Sequence, residues 1–190
     1  MAVGIMIVIF VAIILLALIV FGYLISIYNG LVELRNNIKK SWANIGVLLK
    51  QRSDELPKLI ESVKGYMKHE KTLLTDLTKA RTSFLNARTM GEKAAADNMI
   101  TGALKSIFAV AENYPNLKAN ENFIQLQNRI SGLENELSDR REFYNDSVNT
   151  YNIRIQSFPD MIFARWFSFT ESFEMFKATE TEKQDVKVKF

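Results

Sequence analysis

IMIVIFVAIILLALIVF, residues 5–21, is seventeen consecutive residues drawn only from Ala, Val, Ile, Leu, Met and Phe. Fourteen of them are Leu, Ile, Val or Phe. At roughly −0.3 to −0.6 kcal/mol each, these residues favour insertion into a bilayer by several kcal/mol. The first charged side chain in the chain is Glu33, so the uncharged stretch from Met1 to Ile25 meets the length of about 20 residues that a span needs. A cleaved leader fits less well. No basic residue precedes the run, the run exceeds a leader's apolar core of about 7–15 residues, and no small-x-small site precedes Tyr28. Residues 1–27 are therefore expected to form a transmembrane helix, with Tyr23 and Tyr28 at its exit-side interface.

Flanking charge sets the expected orientation. Arg35, Lys39 and Lys40 follow the span, opposed only by Glu33. The positive-inside tendency then puts the N-terminus outside and the bulk of the chain in the cytoplasm, at a bacterial inner membrane. Arg35, Lys39 and Lys40 are also placed to meet anionic headgroups, at about 1 kcal/mol each. A solvated helix face would use the same residues.

Beyond the span, apolar residues step by four and three. Ile38, Trp42, Ile45, Leu49, Leu56, Leu59, Val63 and Tyr66 form one stripe, interrupted only by Arg52. The register continues through Glu70, Leu73, Leu77, Ala80, Phe84 and Ala87. A second stripe runs through Phe123, Leu126, Ile130, Leu133, Leu137, Tyr144, Val148, Tyr151, Ile155 and Phe158, interrupted by Arg140. Such spacing belongs to amphipathic, coiled-coil-like helices that bury one face. Alternation of period two is nearly absent, which argues against sheet.

The breaks divide this pattern. Asp54 is suited to cap a helix that carries Pro57 in its first turn, where no amide donor is needed. Gly91 suits a helix C-terminus. Pro115 and Pro159 end helices, and Asn120 is suited to cap one. The spacing predicts helices over 28–52, 54–89, 92–113 and 121–157. The expected fold is all-α: a transmembrane helix, an antiparallel up-and-down four-helix bundle over 28–157, an aromatic amphipathic helix over 158–176, and a charged tail over 177–190. A single long helical hairpin, with Pro57 a kink, is the geometric alternative.

Composition removes several function classes. The chain has no Cys and one His among its 190 residues, so disulfides, zinc fingers, thiol nucleophiles and His-pair metal sites are absent. The eight Gly are scattered, with no G-x-G-x-x-G fingerprint and no P-loop. His69-Glu70 begins an H-E-x-x-H motif, but the second His position is Leu73. The formal charge of +3 comes from interspersed residues, without the basic stripe that nucleic acid requires. No catalytic residue, cofactor or metal is expected.

Several segments resemble the bacterial LemA family. They include Tyr28-Asn29-Gly30-Leu31-Val32-Glu33-Leu34-Arg35-Asn36, Trp42-Ala43-Asn44-Ile45, Arg52 with Leu56-Pro57-Lys58-Leu59, Val63-Lys64-Gly65-Tyr66 with His69-Glu70, and Ala80-Arg81. The most specific are Ala111-Glu112-Asn113-Tyr114-Pro115-Asn116-Leu117-Lys118-Ala119 leading to Phe123, Arg140-Arg141 with Phe143-Tyr144-Asn145, Tyr151-Asn152, and Phe158-Pro159. The resemblance covers residues 28–176. It implies a single-pass membrane protein with a cytoplasmic four-helix domain, in a family not known as catalytic. It also implies an association with a membrane metallopeptidase of the M48 type.

Three groups of residues stand out as candidate sites. Arg52, Glu70 and Arg140 are polar exceptions on apolar stripes, read as register-setting ion pairs in the bundle core. Glu112, Asn113, Tyr114, Pro115 and Asn116 form a polar inter-helix loop, a candidate for recognition. Phe158, Phe163, Trp166, Phe167, Phe169, Phe173 and Phe176 concentrate aromatics near the C-terminus. On a helix capped by Asp160, Ile162, Trp166, Phe169, Phe173 and Phe176 would share one face, against lipid or a second protomer. Val186, Val188 and Phe190 alternate with charges as a short strand would. The expected function is a non-catalytic, self-assembling scaffold at the membrane, with membrane lipid and further copies of the chain as partners. The alternative is an adaptor or regulator of the metallopeptidase.

Overall fold

The computed structural model describes residues 1–176; the strand pattern expected at Val186, Val188 and Phe190 lies outside them. The described residues are helical, without strands. Helix α1 spans Ala2–Lys64, α2 Lys71–Asn86, α3 Met90–Ala111, α4 Pro115–Lys118, α5 Glu121–Arg154 and α6 Asp160–Trp166.

The expected break near Asp54 does not occur. Helix α1 runs through Pro57 as one element of 63 residues. Asp54 does not cap; its carboxylate accepts from Lys50 Nζ at 2.6 Å on the exposed face. A proline inside a helix removes one amide donor, leaving the carbonyl four residues earlier without its partner. That carbonyl belongs to Ser53, and Arg81 Nε from α2 donates to it at 3.2 Å. The helix instead ends at Lys64, where Tyr66 and Met67 both donate to the Val63 carbonyl. Met67, not Tyr66, takes the next buried position.

Helix α3 begins earlier than expected. Thr89 caps it: its hydroxyl accepts from the Glu92 amide at 3.2 Å, and the Glu92 carboxylate accepts from the Thr89 amide at 2.9 Å. This is a capping box. Gly91 lies inside the first turn of α3 and does not terminate α2. Asn120 caps α5, its Oδ1 accepting from the Phe123 amide at 3.0 Å.

The chain divides into two compact units. The first comprises residues 1–42 and 143–175. Here no residue of α1 before Ile27 is fully buried, and burial begins at Ile27, followed by Leu31 and Ile38. Tyr144, Val148 and Tyr151 of α5, with Ala164 and Phe169, complete this core.

The second unit contains residues 43–142. Four helical segments supply its buried residues. Ile45, Leu49, Leu56, Leu59 and Val63 come from α1, and Leu77, Ala80 and Phe84 from α2. Ile100, Leu104, Ile107 and Ala111 come from α3, and Phe123, Ile130, Leu133 and Leu137 from α5. Helix α2 packs along α3. Each fully buried Leu or Ile is worth roughly 1.5–3 kcal/mol, so this layer is the main source of the unit's stability.

The aromatic C-terminal region is not one helix. Helix α6 has seven residues and stops at Trp166. Ser168 takes a left-handed conformation with φ 60°. The Phe169 amide then reaches back to the Ala164 carbonyl at 2.7 Å, and the Ser168 amide to Arg165 at 3.2 Å. These two bonds make a Schellman C-cap, with Ser where Gly is usual. Residues 169–176 continue as a non-helical strap, so Phe169, Phe173 and Phe176 do not share a helix face with Ile162 and Trp166.

Candidate functional site

Arg52 sits at the centre of the second unit, 2% exposed. Its Nη1 donates to Asp97 Oδ1 at 2.8 Å, and Asp97 is 1% exposed. Its Nη2 donates to Thr101 Oγ1 at 3.1 Å and lies 2.5 Å from Glu134 Oε2. Arg141 Nη2 bonds the second Asp97 oxygen. Two guanidinium groups and two carboxylates from α1, α3 and α5 thus cancel in a buried cluster. The Nε atoms of Arg52 and Arg141 have no partner among the described residues.

The other two residues expected in this core are elsewhere. Arg140 is half exposed and, among the described residues, pairs with Glu136, one turn back at 3.6 Å. Its neighbour Arg141 takes the inward place because Asp97 of α3 faces that side of α5. Glu70 stands at the start of α2 without capping it, half-buried, with Tyr114 Oη at 3.5 Å from its carboxylate. Sequence reasoning missed Asp97, Glu134 and Arg141. Asp97 alone carried a signal, as a carboxylate one position after the buried Ala96 and three before Ile100.

A second ion network lies at the surface of the same unit. Glu55 is 5% exposed and accepts from Lys58 Nζ at 2.9 Å and Arg129 Nε at 2.7 Å. The hydrogen bond from Lys58 holds the Glu55 carboxyl below its ordinary range; burial opposes this, and Arg129 adds to it.

The inter-helix loop is partly anchored. Glu112 pairs with Lys118. Pro115 opens α4, and Leu117 is fully buried beneath it. Tyr114 is half-buried toward Glu70, while Asn113 and Asn116 face solvent. The neighbouring loop is tied in as well, since Asn120 Nδ2 donates to Tyr66 Oη at 3.2 Å. His69 lines a groove with Lys64, Lys68 and Lys71, a cationic setting unsuited to a metal. Among the described residues no three His, Cys, Asp or Glu side chains come together to hold a metal ion.

In the first unit the aromatic residues separate into two groups. Phe169 is buried, its ring 5.8 Å from Tyr28 and its face 4.9 Å from the Arg35 guanidinium. Phe173 is half-buried against Tyr151 at 5.3 Å. Asn152 fixes the Phe173 backbone twice, donating to its carbonyl at 2.9 Å and accepting from its amide at 3.1 Å. Tyr144 Oη donates to the Glu174 carbonyl at 3.1 Å. Burial pushes the Tyr144 and Tyr151 hydroxyls above the ordinary phenol range. Phe163 is half-buried on α6.

The second group stays in the open. Trp166 is 75% exposed and Phe158 78%. Phe167 is more covered, set edge-on to Tyr28 at 5.1 Å and stacked on Trp166 at 6.3 Å. Lys39 and Lys40 are exposed on α1. In the second unit Phe176 lies 5.5 Å from the Arg141 guanidinium. Arg154 joins α5 to α6 by donating to Asp160 Oδ2 at 2.6 Å. Its guanidinium lies against Gly30, where a Cβ would collide with it.

Helix α1 is long and apolar enough to cross a membrane, and none of its most apolar window is buried within the protein. Comparisons with known proteins agree with a membrane-associated helical protein. The chain is 28% identical to Protein LemA of Metamycoplasma hominis over 162 residues, covering 83% of this chain and 72% of that protein. It is 22% identical to magnetosome protein MamQ 2 of Paramagnetospirillum magneticum, covering 81% of this chain and 67% of that protein. It is 20% identical to magnetosome protein MamQ of Magnetospirillum gryphiswaldense, over 70% of this chain and 58% of that protein. A sequence model of the LemA family matches residues 41–190, most of the chain. The chain belongs to the LemA family.

Proposed function

We propose that this protein is a non-catalytic, membrane-anchored helical scaffold that self-assembles at the cytoplasmic face of the bacterial inner membrane. The observation that carries this reading is the continuity of α1. Its apolar N-terminal part is wholly exposed, and from Ile27 the same unbroken helix supplies buried core residues. Such a helix serves as an anchor built into the fold. The buried titratable groups support a structural role. Arg52, Asp97 and Glu55 are each paired with an opposite charge inside the fold. Members of the LemA family are not known as enzymes.

The orientation rests on Arg35, Lys39 and Lys40 following the span. Lys39 lies 11 residues beyond Tyr28, about 16 Å farther along a helix axis. That exceeds the headgroup layer of roughly 5–8 Å. The lysines therefore act through the topology preference and not through direct lipid contact.

The test is the mass of the full chain in detergent by light scattering, beside the same chain with Ile9 and Leu16 replaced by Arg. A defined assembly that dissolves in the variant supports the scaffold. A monomer in both overturns it and favours an adaptor that awaits a metallopeptidase.

A further inference from the structure

We infer that α6 and its flanks, Phe158 to Phe167, form a second membrane contact: an aromatic wedge seated among the lipid headgroups beside the exit of the span. This rests on the membrane anchoring proposed above and adds a named lipid-facing surface to it.

Three observations place the wedge. The apolar stretch of α1 ends near Tyr23–Ile25, and Tyr28 follows within about 5–8 Å along the axis. That is the depth of the headgroup layer, where Tyr and Trp side chains concentrate. The Phe167 ring packs edge-on to Tyr28, so the end of α6 is held at that level by direct contact. The α6 base is held too, because Arg154 bridges Asp160 while lying against Gly30 of α1.

The exposed side chains then fit one environment. Phe158, Ile162, Trp166 and Phe167 are 78%, 49%, 75% and 39% exposed. Phe163 and Ala164 face inward and Arg165 faces solvent. Removing apolar area from water is favourable, so the bilayer interface is the environment that these four large side chains favour. Phe167 joins this group to the exposed Tyr28 of α1 by direct ring contact. A bilayer that surrounds the span covers both at once. Arg165 is placed to reach phosphate oxygens from the same short helix.

The wedge is distinct from the strap that follows it. Ser168 reverses the chain, and Phe169 and Phe173 turn inward onto α1 and α5. Trp166 and Phe158 can therefore be changed without touching the core.

The experiment uses the full chain with Trp42→Phe, which leaves Trp166 as the single tryptophan. The protein is reconstituted in vesicles of phosphatidylcholine and phosphatidylglycerol, with and without brominated acyl chains near the carbonyl end. Co-flotation with the vesicles is read first and tests anchoring by itself. In floated protein, Trp166 emission is expected to shift to the blue relative to detergent-free aqueous indole, to lose intensity with brominated lipid, and to resist iodide. Emission quenched by iodide and untouched by brominated lipid overturns the wedge while leaving the anchor intact. Emission shielded from both quenchers also overturns it, since that marks contact between copies. The Phe158→Ser/Ile162→Ser variant keeps Trp166 and should restore iodide quenching.

Discussion

Arg81 on α2 donates its Nε hydrogen to the carbonyl of Ser53 on α1, at 3.2 Å. Ser53 is fully buried, and its carbonyl is the one that Pro57 deprives of a helical donor. A proline that would end a free helix is thus accommodated by a side chain from the next helix. Removing Arg81 should leave a buried carbonyl unsatisfied, at about 1–3 kcal/mol. Restoring the helical amide should remove most of that cost. The expected result is that Arg81→Met lowers the melting temperature strongly in the native background and weakly in a Pro57→Ala background. Circular dichroism on the four proteins of this cycle reads the coupling directly; equal losses in both backgrounds would dissociate Arg81 from the proline.

The cluster around Arg52 makes a different prediction. Asp97 is 1% exposed and holds two guanidinium groups at once. Asp97→Asn would leave Arg52 with only the partly exposed Glu134, and Arg141 without a carboxylate. Uncompensated buried charge costs about 3–5 kcal/mol, so this single change should destabilise more than any surface substitution. Replacing the charges together by Arg52→Met, Asp97→Leu, Glu134→Leu and Arg141→Met should recover much of the loss, because apolar side chains of similar volume need no partners. Denaturant unfolding of the full chain in detergent checks the order of stabilities: native, then quadruple variant, then Asp97→Asn.

These two relationships explain what the sequence revealed and what it concealed. The span is legible as an unbroken apolar run, and both heptad stripes are legible because burial on a helix imposes a period, which Ile45 to Val63 and Phe123 to Leu137 obey. The helix continues through Pro57 because the compensating donor comes from α2, outside any local window. Arg140 and Arg141 are adjacent and chemically equal, and only the position of Asp97 on α3 decides which turns inward. The C-terminal aromatics fit a helical period by spacing, yet Asn152 pairs with the Phe173 backbone and holds a non-helical strap there. The Tyr151-Asn152 pair is visible in the sequence, but nothing local says that the asparagine amide will bond a backbone 21 residues away.

Glu55 should give the stability of the second unit a pH dependence in acid. Lys58, then Arg129, hold its carboxyl below the ordinary value of 4.5, against the effect of burial. The unfolded chain therefore takes up this proton first as pH falls. The stabilisation is complete above the ordinary value and is lost as pH falls through the lower folded value. It should amount to about 1 kcal/mol, since both cationic side chains are largely in water. Glu55→Gln should accordingly melt below the native protein at neutral pH, with the gap closing as the buffer is taken below pH 4.5. A gap independent of pH would assign the effect to packing.

Ser168 provides the sharpest test of how the C-terminal strap is positioned. Its φ of 60° lies in the left-handed region, where a side chain costs roughly 1 kcal/mol and a β-branched one more. The cost is sustained by the two C-cap bonds and by Phe169, which the reversal delivers to a buried site against Tyr28 and Arg35. Ser168→Gly removes the strain without touching either contact. The gain is offset in part by the greater freedom of glycine in the unfolded chain, so stability should rise by a few tenths to about 1 kcal/mol. Ser168→Val should lose about 1–2 kcal/mol and release the strap. Hydrogen exchange separates these outcomes: the Phe169 and Phe173 amides should stay protected in Ser168→Gly and exchange faster in Ser168→Val, while the Thr89–Glu92 capping box, remote in sequence, keeps its protection in both.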